Sequence, residues 1–435
     1  MRSGLLLLLA VVLTAGCGKR EDENLGTSRM WGGADDEMFM GVAADGAGNL
    51  YAVGYTKSFG SGTDRDVLVV KFDSNMNEIW ARTWGGNSDE AADAVAVVGS
   101  VVYVVGLTHS WGSGSSDALL MAWDTDGGLL WSRTWGGGQA EELHALYVNG
   151  TDLYAAGDTE SFGAGQKDGL LLKYDASTNP PTLSWASVWG GTLNDRFYDL
   201  EVSGGAIWVS GTSRSFGAGD LDVLLAEFDT AAGALQNAYT WGGTSDDGAN
   251  CLLLDGTSVI LGGYSASFRV GSNDTQALML SFDTVGAGVD WAALCGGDGS
   301  EAIADFVKTG GGYAYVGTVL TVVFLLHPVY GYCDSDGTQW RMWHWGTGGA
   351  DLFNDCEMVS GQLVMAGGVT NRTDAWYAMN AAEMDVSLMS SFTSRAGTGT
   401  SPSGALEQAV TGTATDVTGQ APGGAKLDAI LTKIE

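Results

Sequence analysis

Basic side chains are scarce in this sequence of 435 residues: 20 lysines and arginines stand against 52 aspartates and glutamates, for a net charge of −32. Recognition of a phosphate backbone needs clustered Lys and Arg, so nucleic acid is not an expected partner. Only 5 prolines occur, which excludes a Pro-rich disordered chain. With 4 histidines, and 5 cysteines that show no paired Cys/His spacing, neither a zinc site nor any His-based site is expected. Helical periodicity is missing, which excludes a helical solenoid. The apolar run from Leu5 to Ala15 is too short for a comfortable membrane span. Gly-x-Ser-x-Gly, a phosphate loop, His-Glu-x-x-His and Asp-x-Asp-x-Asp-Gly are all absent. Acid pairs abound, so no single pair marks a hydrolase.

What the chain has in excess is glycine, 67 residues, together with 16 tryptophans and 45% hydrophobic residues. That mixture suggests many short strands joined by tight turns. The residues repeat. Trp-Gly-Gly begins at Trp31, Trp84, Trp135, Trp189 and Trp241, with Cys295-Gly296-Gly297 and Trp345-Gly346 in the next two places. A glycine closing an apolar run recurs at Gly54, Gly106, Gly157, Gly211, Gly263, Gly317, Gly367 and Gly419, a repeat of about 52 residues in eight registers. Within the first unit, four strand-like runs are separated by turn signals: Phe39 to Ala44, Leu50 to Tyr55, Val67 to Asp73 and Glu78 to Trp84. Four short antiparallel strands per unit are the signature of a propeller blade.

The expected fold is therefore all-β: an eight-bladed β-propeller of four-stranded antiparallel blades, with seven blades as the alternative. After the seventh unit the sequence supplies only three more runs, Leu406 to Thr411, Ala414 to Gly419 and Asp428 to Ile434. The missing strand lies at Thr27 to Gly33, so one N-terminal strand is expected to close the ring with three C-terminal ones and remove the free sheet edges.

Before that strand, Met1 to Gly16 read as a signal peptide: one positive residue, an apolar core and small residues before a cut site. Leu13-Thr14-Ala15-Gly16-Cys17 resembles the lipobox of bacterial lipoproteins, which implies lipidation of Cys17, and residues 17–26 form a polar tether. Gly18 stands where an Asp would favour inner-membrane retention, so the resemblance implies the outer membrane of a bacterial envelope. Residues 27–435 make a single domain, and a monomer is expected.

Ser58-Phe59-Gly60-Ser61-Gly62 leading to Asp66, Ser110-Trp111-Gly112 to Asp117, Ser161-Phe162-Gly163 to Asp168 and Ser215-Phe216-Gly217 to Asp222 share one pattern. It resembles the bacterial β-propeller repeat family whose units carry Ser-Phe-Gly-x-Gly-x-x-Asp. The likeness covers residues 31 to 300 well and the remainder by spacing; it implies a propeller, usually of seven blades, and an exported setting, but no activity. A looser likeness, at the level of fold, is to the propeller lipoprotein of the outer-membrane barrel-assembly machinery, through the hairpin Asp124 to Trp131.

Strand alternation puts two sets of loops on one rim. Asp35, Asp36, Asp89, Glu90, Glu141, Glu142, Asp195, Asp246, Asp247 and Asp351 in the d-to-a loops make that rim a candidate for Ca²⁺ or a basic partner, or simply solvated charge. Asp66, Asp117, Asp168, Asp222, Asp374 and Asp428 recur at the start of strand c, where an aspartate accepts backbone N–H groups and fixes a turn. The recurring tryptophans read first as packing between blades rather than sugar platforms. His327, Tyr330, Tyr332 and His344 cluster in an irregular blade, either as a site or as drift. Cys251, Cys295, Cys333 and Cys356 fall at non-equivalent points, so no disulfide pairing suggests itself. The expected role is a non-enzymatic binding or scaffold module for a protein, glycan or cation. The alternatives are a glycan lyase or hydrolase with its site in the central funnel, and an outer-membrane assembly factor.

Overall fold

The computed structural model describes residues 27–60, 62–268, 275–296, 299–320, 326–337, 340–345 and 351–369. It also describes short strands at Trp376–Ala378, Ala382–Asp385, Thr393–Ser394, Leu406–Ala409, Thr415–Val417 and Asp428–Ile434. The signal peptide, Cys17 and its tether, and Asp374 lie outside them, as does Gly419. Among the described residues no helix is long and apolar enough to cross a membrane.

The chain forms a β-propeller. In blade 1, strands a to d are Glu37–Ala44, Leu50–Thr56, Asp66–Phe72 and Glu78–Trp84, antiparallel throughout and within two residues of the expected runs. Five more blades follow, with innermost strands Glu90–Val98, Glu141–Asn149, Asp195–Ser203, Asp247–Asp255 and Ser300–Lys308. Strands b and c are apolar on both sides because each blade is sandwiched between two others; all seven residues of Leu50–Thr56 are buried. Tyr51, Val53, Val67 and Val69 of blade 1, for example, share a core with Val102, Val104, Leu119 and Met121 of blade 2.

Closure corrects the expected count of eight. The sheet after blade 6 begins with Leu352–Val359 and packs on blade 6 on one side and on blade 1 on the other, so the ring of described residues closes at seven. Its four strands are Leu352–Val359, Gln362–Val369, Asp428–Ile434 and Thr27–Trp31. The N-terminal strand therefore does pair with Asp428–Ile434, as expected, but two of the remaining strands come from 352–369. The runs expected at 406–411 and 414–419 go elsewhere. Strands Trp376–Ala378, Ala382–Asp385, Thr393–Ser394, Leu406–Ala409 and Thr415–Val417 add to the outer edges of blades 6, 5, 4, 2 and 1, retracing the ring in reverse.

The physical reason is at the junctions. A tryptophan ending strand d stacks on the aromatic ring in the next blade's b-to-c loop: Trp31 on Phe59, Trp135 on Phe162, Trp189 on Phe216 and Trp241 on Phe268, with centroids 4.9 to 5.3 Å apart. Trp84 meets Trp111 in the same way at 4.3 Å. Residues 376 to 417 contain neither Trp-Gly-Gly nor Ser-Phe-Gly, whereas Trp31 carries one half of the lock and makes Thr27–Trp31 the natural strand d of the closing sheet.

Candidate functional site

Half of the ten acidic residues expected on the rim are buried. Glu90, Glu141, Asp195, Asp247 and Asp351 are each 0% exposed, as is Glu37 in the first blade. The carboxylates of Glu37, Glu90, Glu141, Asp195 and Asp247 close the d-to-a loop onto the b-to-c loop. Glu141 accepts the N–H of Gly137 (2.8 Å), the hydroxyl of Thr159 (2.9 Å) and the N–H of Ser161 (3.0 Å). Glu37 and Glu90 repeat this with Thr56 and Thr108, while the shorter Asp195 and Asp247 reach Ser213 and Ser265. Such groups are committed to the fold and cannot meet a partner. Asp89 is exposed; Asp35, Asp36 and Asp246 are half-buried on the rim, Asp36 within 3.5 Å of Lys57.

Asp66, Asp117, Asp168 and Asp222 sit at the first position of strand c, at most 2% exposed. Asp117 accepts the N–H groups of Ser113 and Gly114, Asp168 that of Gly165 and Asp222 that of Gly219, at 2.9 to 3.0 Å. Burial, with Asp195 nearby, pushes the Asp168 carboxyl up to about 6. The first glycine of Trp-Gly-Gly is explained here: a Cβ on Gly85 would collide with the Asp66 carboxylate, and one on Gly136 with both Asp117 and Glu141. Asp428 lies in the closing sheet.

A different site emerges around the axis. Every innermost strand carries a one-residue β-bulge at the same repeat position: Met40, Asp93, His144, Tyr198, Asn250, Ala304 and Asn354. A bulge re-aims its side chain, and all seven residues line one central channel of about 450 Å³. The Trp-Gly-Gly and Ser-Phe-Gly positions keep one residue type in most blades, whereas this position is varied.

Carboxyl groups of the channel wall stitch neighbouring blades. The innermost strand has an unpaired inner edge, and its N–H groups need acceptors. Asp199 accepts the N–H of Leu252 (2.7 Å), Glu201 that of Leu254 (3.0 Å), Asp305 that of Cys356 (3.0 Å) and Asp355 that of Val42 (2.6 Å). Amides act in the reverse sense: Asn250 donates to the Ile303 carbonyl (2.7 Å) and Asn354 to that of Phe39 (2.9 Å). Asp305 and Asp355 also hydrogen-bond each other, which requires one of them to carry a proton. Burial, reinforced by the field of Asp305, raises Asp199 and Asp355 well above the usual carboxylate range and Glu357 to about 7.

On the opposite side of the channel, at the junction of blades 3 and 4, the charge pattern changes. Glu142 and Asp158 are direct cross-strand partners, an arrangement that is unfavourable for like charges. Asp158 has no exposed side-chain surface and is surrounded by His144 Nε2 (3.2 Å), Lys167 Nζ (2.8 Å) and Arg196 Nε (3.8 Å). Asp93 reaches His144 Nδ1 at 3.1 Å. Burial alone would lower the imidazole pKa, but the hydrogen bonds to Asp158 and Asp93 overrule it and push it up to about 10. A second cavity of about 490 Å³, open to the rim, is lined by Gln139, Glu160, Gly165, Gln166, Lys167, Asn194 and Arg196. Lys167 and Arg196 of the charged group thus face the rim cavity, while His144 and Tyr198 face the channel, their rings 5.6 Å apart.

Of the residues expected from sequence, only Glu142 belongs to this group. His327, Tyr330 and Tyr332 lie on strand c of blade 6, away from the channel lining, and His344 belongs to its strand d. Burial lowers the His327 pKa. The four cysteines are free and buried, two of them (Cys251 and Cys356) in the channel wall. The missed residues left one signal. Asp158 directly follows the marker glycine Gly157, where the other blades have Tyr55, Leu107, Thr212, Tyr264, Thr318 and Gly368.

No protein-family model matches this sequence, and no curated protein matches it. Among solved structures, a protein from Bacteroides uniformis provisionally named as a 6-phosphogluconolactonase is 13% identical, with a TM-score of 0.41 over 72% of this chain and 86% of that one. A likeness that distant carries no argument about the activity of this chain.

Proposed function

We propose that the protein is a non-enzymatic binding propeller, held at the bacterial envelope by lipid on Cys17, whose ligand is a small neutral polyhydroxy molecule of glycan type. It binds at the junction of blades 3 and 4, between Arg196 on the rim cavity and Tyr198 on the channel. One observation carries this reading: the bulge position, which differs in residue type from blade to blade, faces the axis in every innermost strand and lines one channel. Gln139, Gln166, Asn194 and Arg196 offer the planar amide and guanidinium groups that hydroxyls pair with, beside the Tyr198 ring. A net charge of −32 disfavours polyanions. Titration of the purified chain against neutral oligosaccharides is expected to give binding that Arg196→Ala and Tyr198→Ala weaken at least tenfold with unchanged melting temperature. Retention of full affinity by both variants would overturn the placement. Metabolic labelling with a fatty acid, lost in Cys17→Ser, tests the anchor.

The enzymatic alternative has its own observation, the hydrogen-bonded Asp305 and Asp355 with Glu357 poised near neutrality. That reading predicts turnover abolished by Asp355→Asn, whereas the binding reading predicts ligand recovered unaltered.

A further inference from the structure

We infer that Glu142, His144 and Asp158 form a site for a divalent first-row metal ion at the mouth of the channel, with Asp93 as the residue that positions the imidazole. The donor atoms of the three side chains lie within 4.8 Å of one another. His144 Nε2 stands 3.2 Å from Asp158 Oδ2 and 3.9 Å from Glu142 Oε2. An ion bound at about 2.0–2.1 Å by nitrogen and oxygen in tetrahedral geometry has donors about 3.3–3.4 Å apart. Binding displaces the proton that His144 Nε2 shares with Asp158 Oδ2, after which Glu142 has to move inward by about half an ångström towards the ring.

Three independent features favour an ion over a simple ion-pair network. First, Nδ1 of the ring is occupied by Asp93 at 3.1 Å, which is the outer carboxylate that metal-bound histidines generally have and which leaves Nε2 to face the carboxylates. Second, two carboxylates stand directly opposite each other on paired strands, one of them without exposed surface. The corresponding pairs in the other blades are Met38 and Tyr55, Ala91 and Leu107, Arg196 and Thr212, Gly248 and Tyr264, Ala302 and Thr318, and Leu352 and Gly368. No packing rule of the repeat asks for this pair. Third, Lys167 holds the other oxygen of Asp158 at 2.8 Å, so a metal at Oδ2 leaves that bond intact, while Lys167 Nζ (3.9 Å from Glu142 Oε2) and Arg196 Nε (3.8 Å from Asp158 Oδ2) stand beyond hydrogen-bond distance of the two donor oxygens.

Three protein donors leave a fourth tetrahedral position, as in sites that bind or polarise a ligand, and His144 lines the channel. The mixed nitrogen and oxygen set suits zinc, cobalt, nickel or manganese and is a poor match for calcium, which takes six to eight oxygens. The site does not depend on the glycan reading, because metal binding is measured with no other ligand present.

The test is calorimetric titration of the full-length chain in detergent, stripped with chelator, against Zn²⁺ and separately Ca²⁺, with Co²⁺ absorption as a spectroscopic check. One Zn²⁺ per chain is expected, together with a visible Co²⁺ band. His144→Ala should remove both, and Asp93→Asn should weaken Zn²⁺ about 10- to 100-fold at unchanged stoichiometry. Circular dichroism of each variant separates lost metal from lost fold; should His144→Ala fail to fold, Glu142→Gln takes its place with the same expectation. Absence of Zn²⁺ binding by the wild type would overturn the site, and so would Zn²⁺ binding that survives in the folded His144→Ala or Glu142→Gln variant.

Discussion

Glu357 offers a quantitative test of how the channel is built. Its carboxyl is pushed from 4.5 to about 7 by burial and then by the field of Asp305. A carboxyl whose pKa is raised by folding adds stability in its protonated form. That contribution is complete below about pH 4.5 and is lost as pH rises through about 7, because the unfolded chain releases the proton first. A shift of this size corresponds to about 3 kcal/mol at about 1.4 kcal/mol per pKa unit. Glu357→Gln removes the proton exchange and keeps the shape. In melts recorded from pH 4 to 9, wild type and variant are expected to coincide at pH 4. Between about pH 4.5 and 7 they should separate, and above pH 7 the variant should stay more stable by up to about 3 kcal/mol, which in a chain of this length is about 1 °C in Tm per kcal/mol. Other raised carboxyls, Asp168 among them, also cost wild type stability as pH rises, and taking the difference between the two proteins cancels them. Two parallel curves, or a variant weaker than wild type at pH 8, would refute the argument that this carboxyl is buried against Asp305.

Gly85→Ala should shift the urea midpoint by the equivalent of at least about 3 kcal/mol, because the new methyl meets the Asp66 carboxylate; an unchanged midpoint would disprove the stated reason for Trp-Gly-Gly. Trp31→Ala opens the closing junction at Phe59 and should cost about 3–5 kcal/mol in the same assay, whereas a surface role for Trp31 predicts almost none. Asn354→Ala leaves the Phe39 carbonyl without its donor and should lose about 1–3 kcal/mol; a neutral result would show that water replaces the amide. The thiols of Cys251, Cys295, Cys333 and Cys356, at most 4% exposed, are expected to resist a thiol reagent until denaturant is added, and fast labelling of the native chain would contradict their placement.

Much of the fold was legible because a repeat states its own geometry. The Trp-Gly-Gly and Ser-Phe-Gly motifs are two halves of one junction, as the stacking of Trp135 on Phe162 makes plain, so spacing alone located strands within two residues. The number of blades was not legible in that way. Gly419 keeps the period of the repeat, but periodicity says nothing about whether the aromatic lock is present, and closure follows the lock. The site was harder to read for a related reason. Acidic residues in loops look exposed in sequence, yet Glu141 and Asp195 are consumed by N–H groups of their own loops. The residues that do face the axis are singular, and a reading built on recurrence passes over His144 and Asp158. Bulges add to the difficulty, since a single unpaired residue reverses the inside-outside alternation of a strand without any composition signal.

The pairing of Thr27–Trp31 with Asp428–Ile434 has a consequence for how the molecule comes into being. The strand that completes the seventh sheet is synthesised first of all the described residues and its partner long after it, so no partial chain can form a closed circle. Until then the blades can exist only as an open arc whose two end sheets lack neighbours, and closure over so long a loop is intrinsically slow. The architecture that makes the finished ring hard to open also keeps it from closing too early.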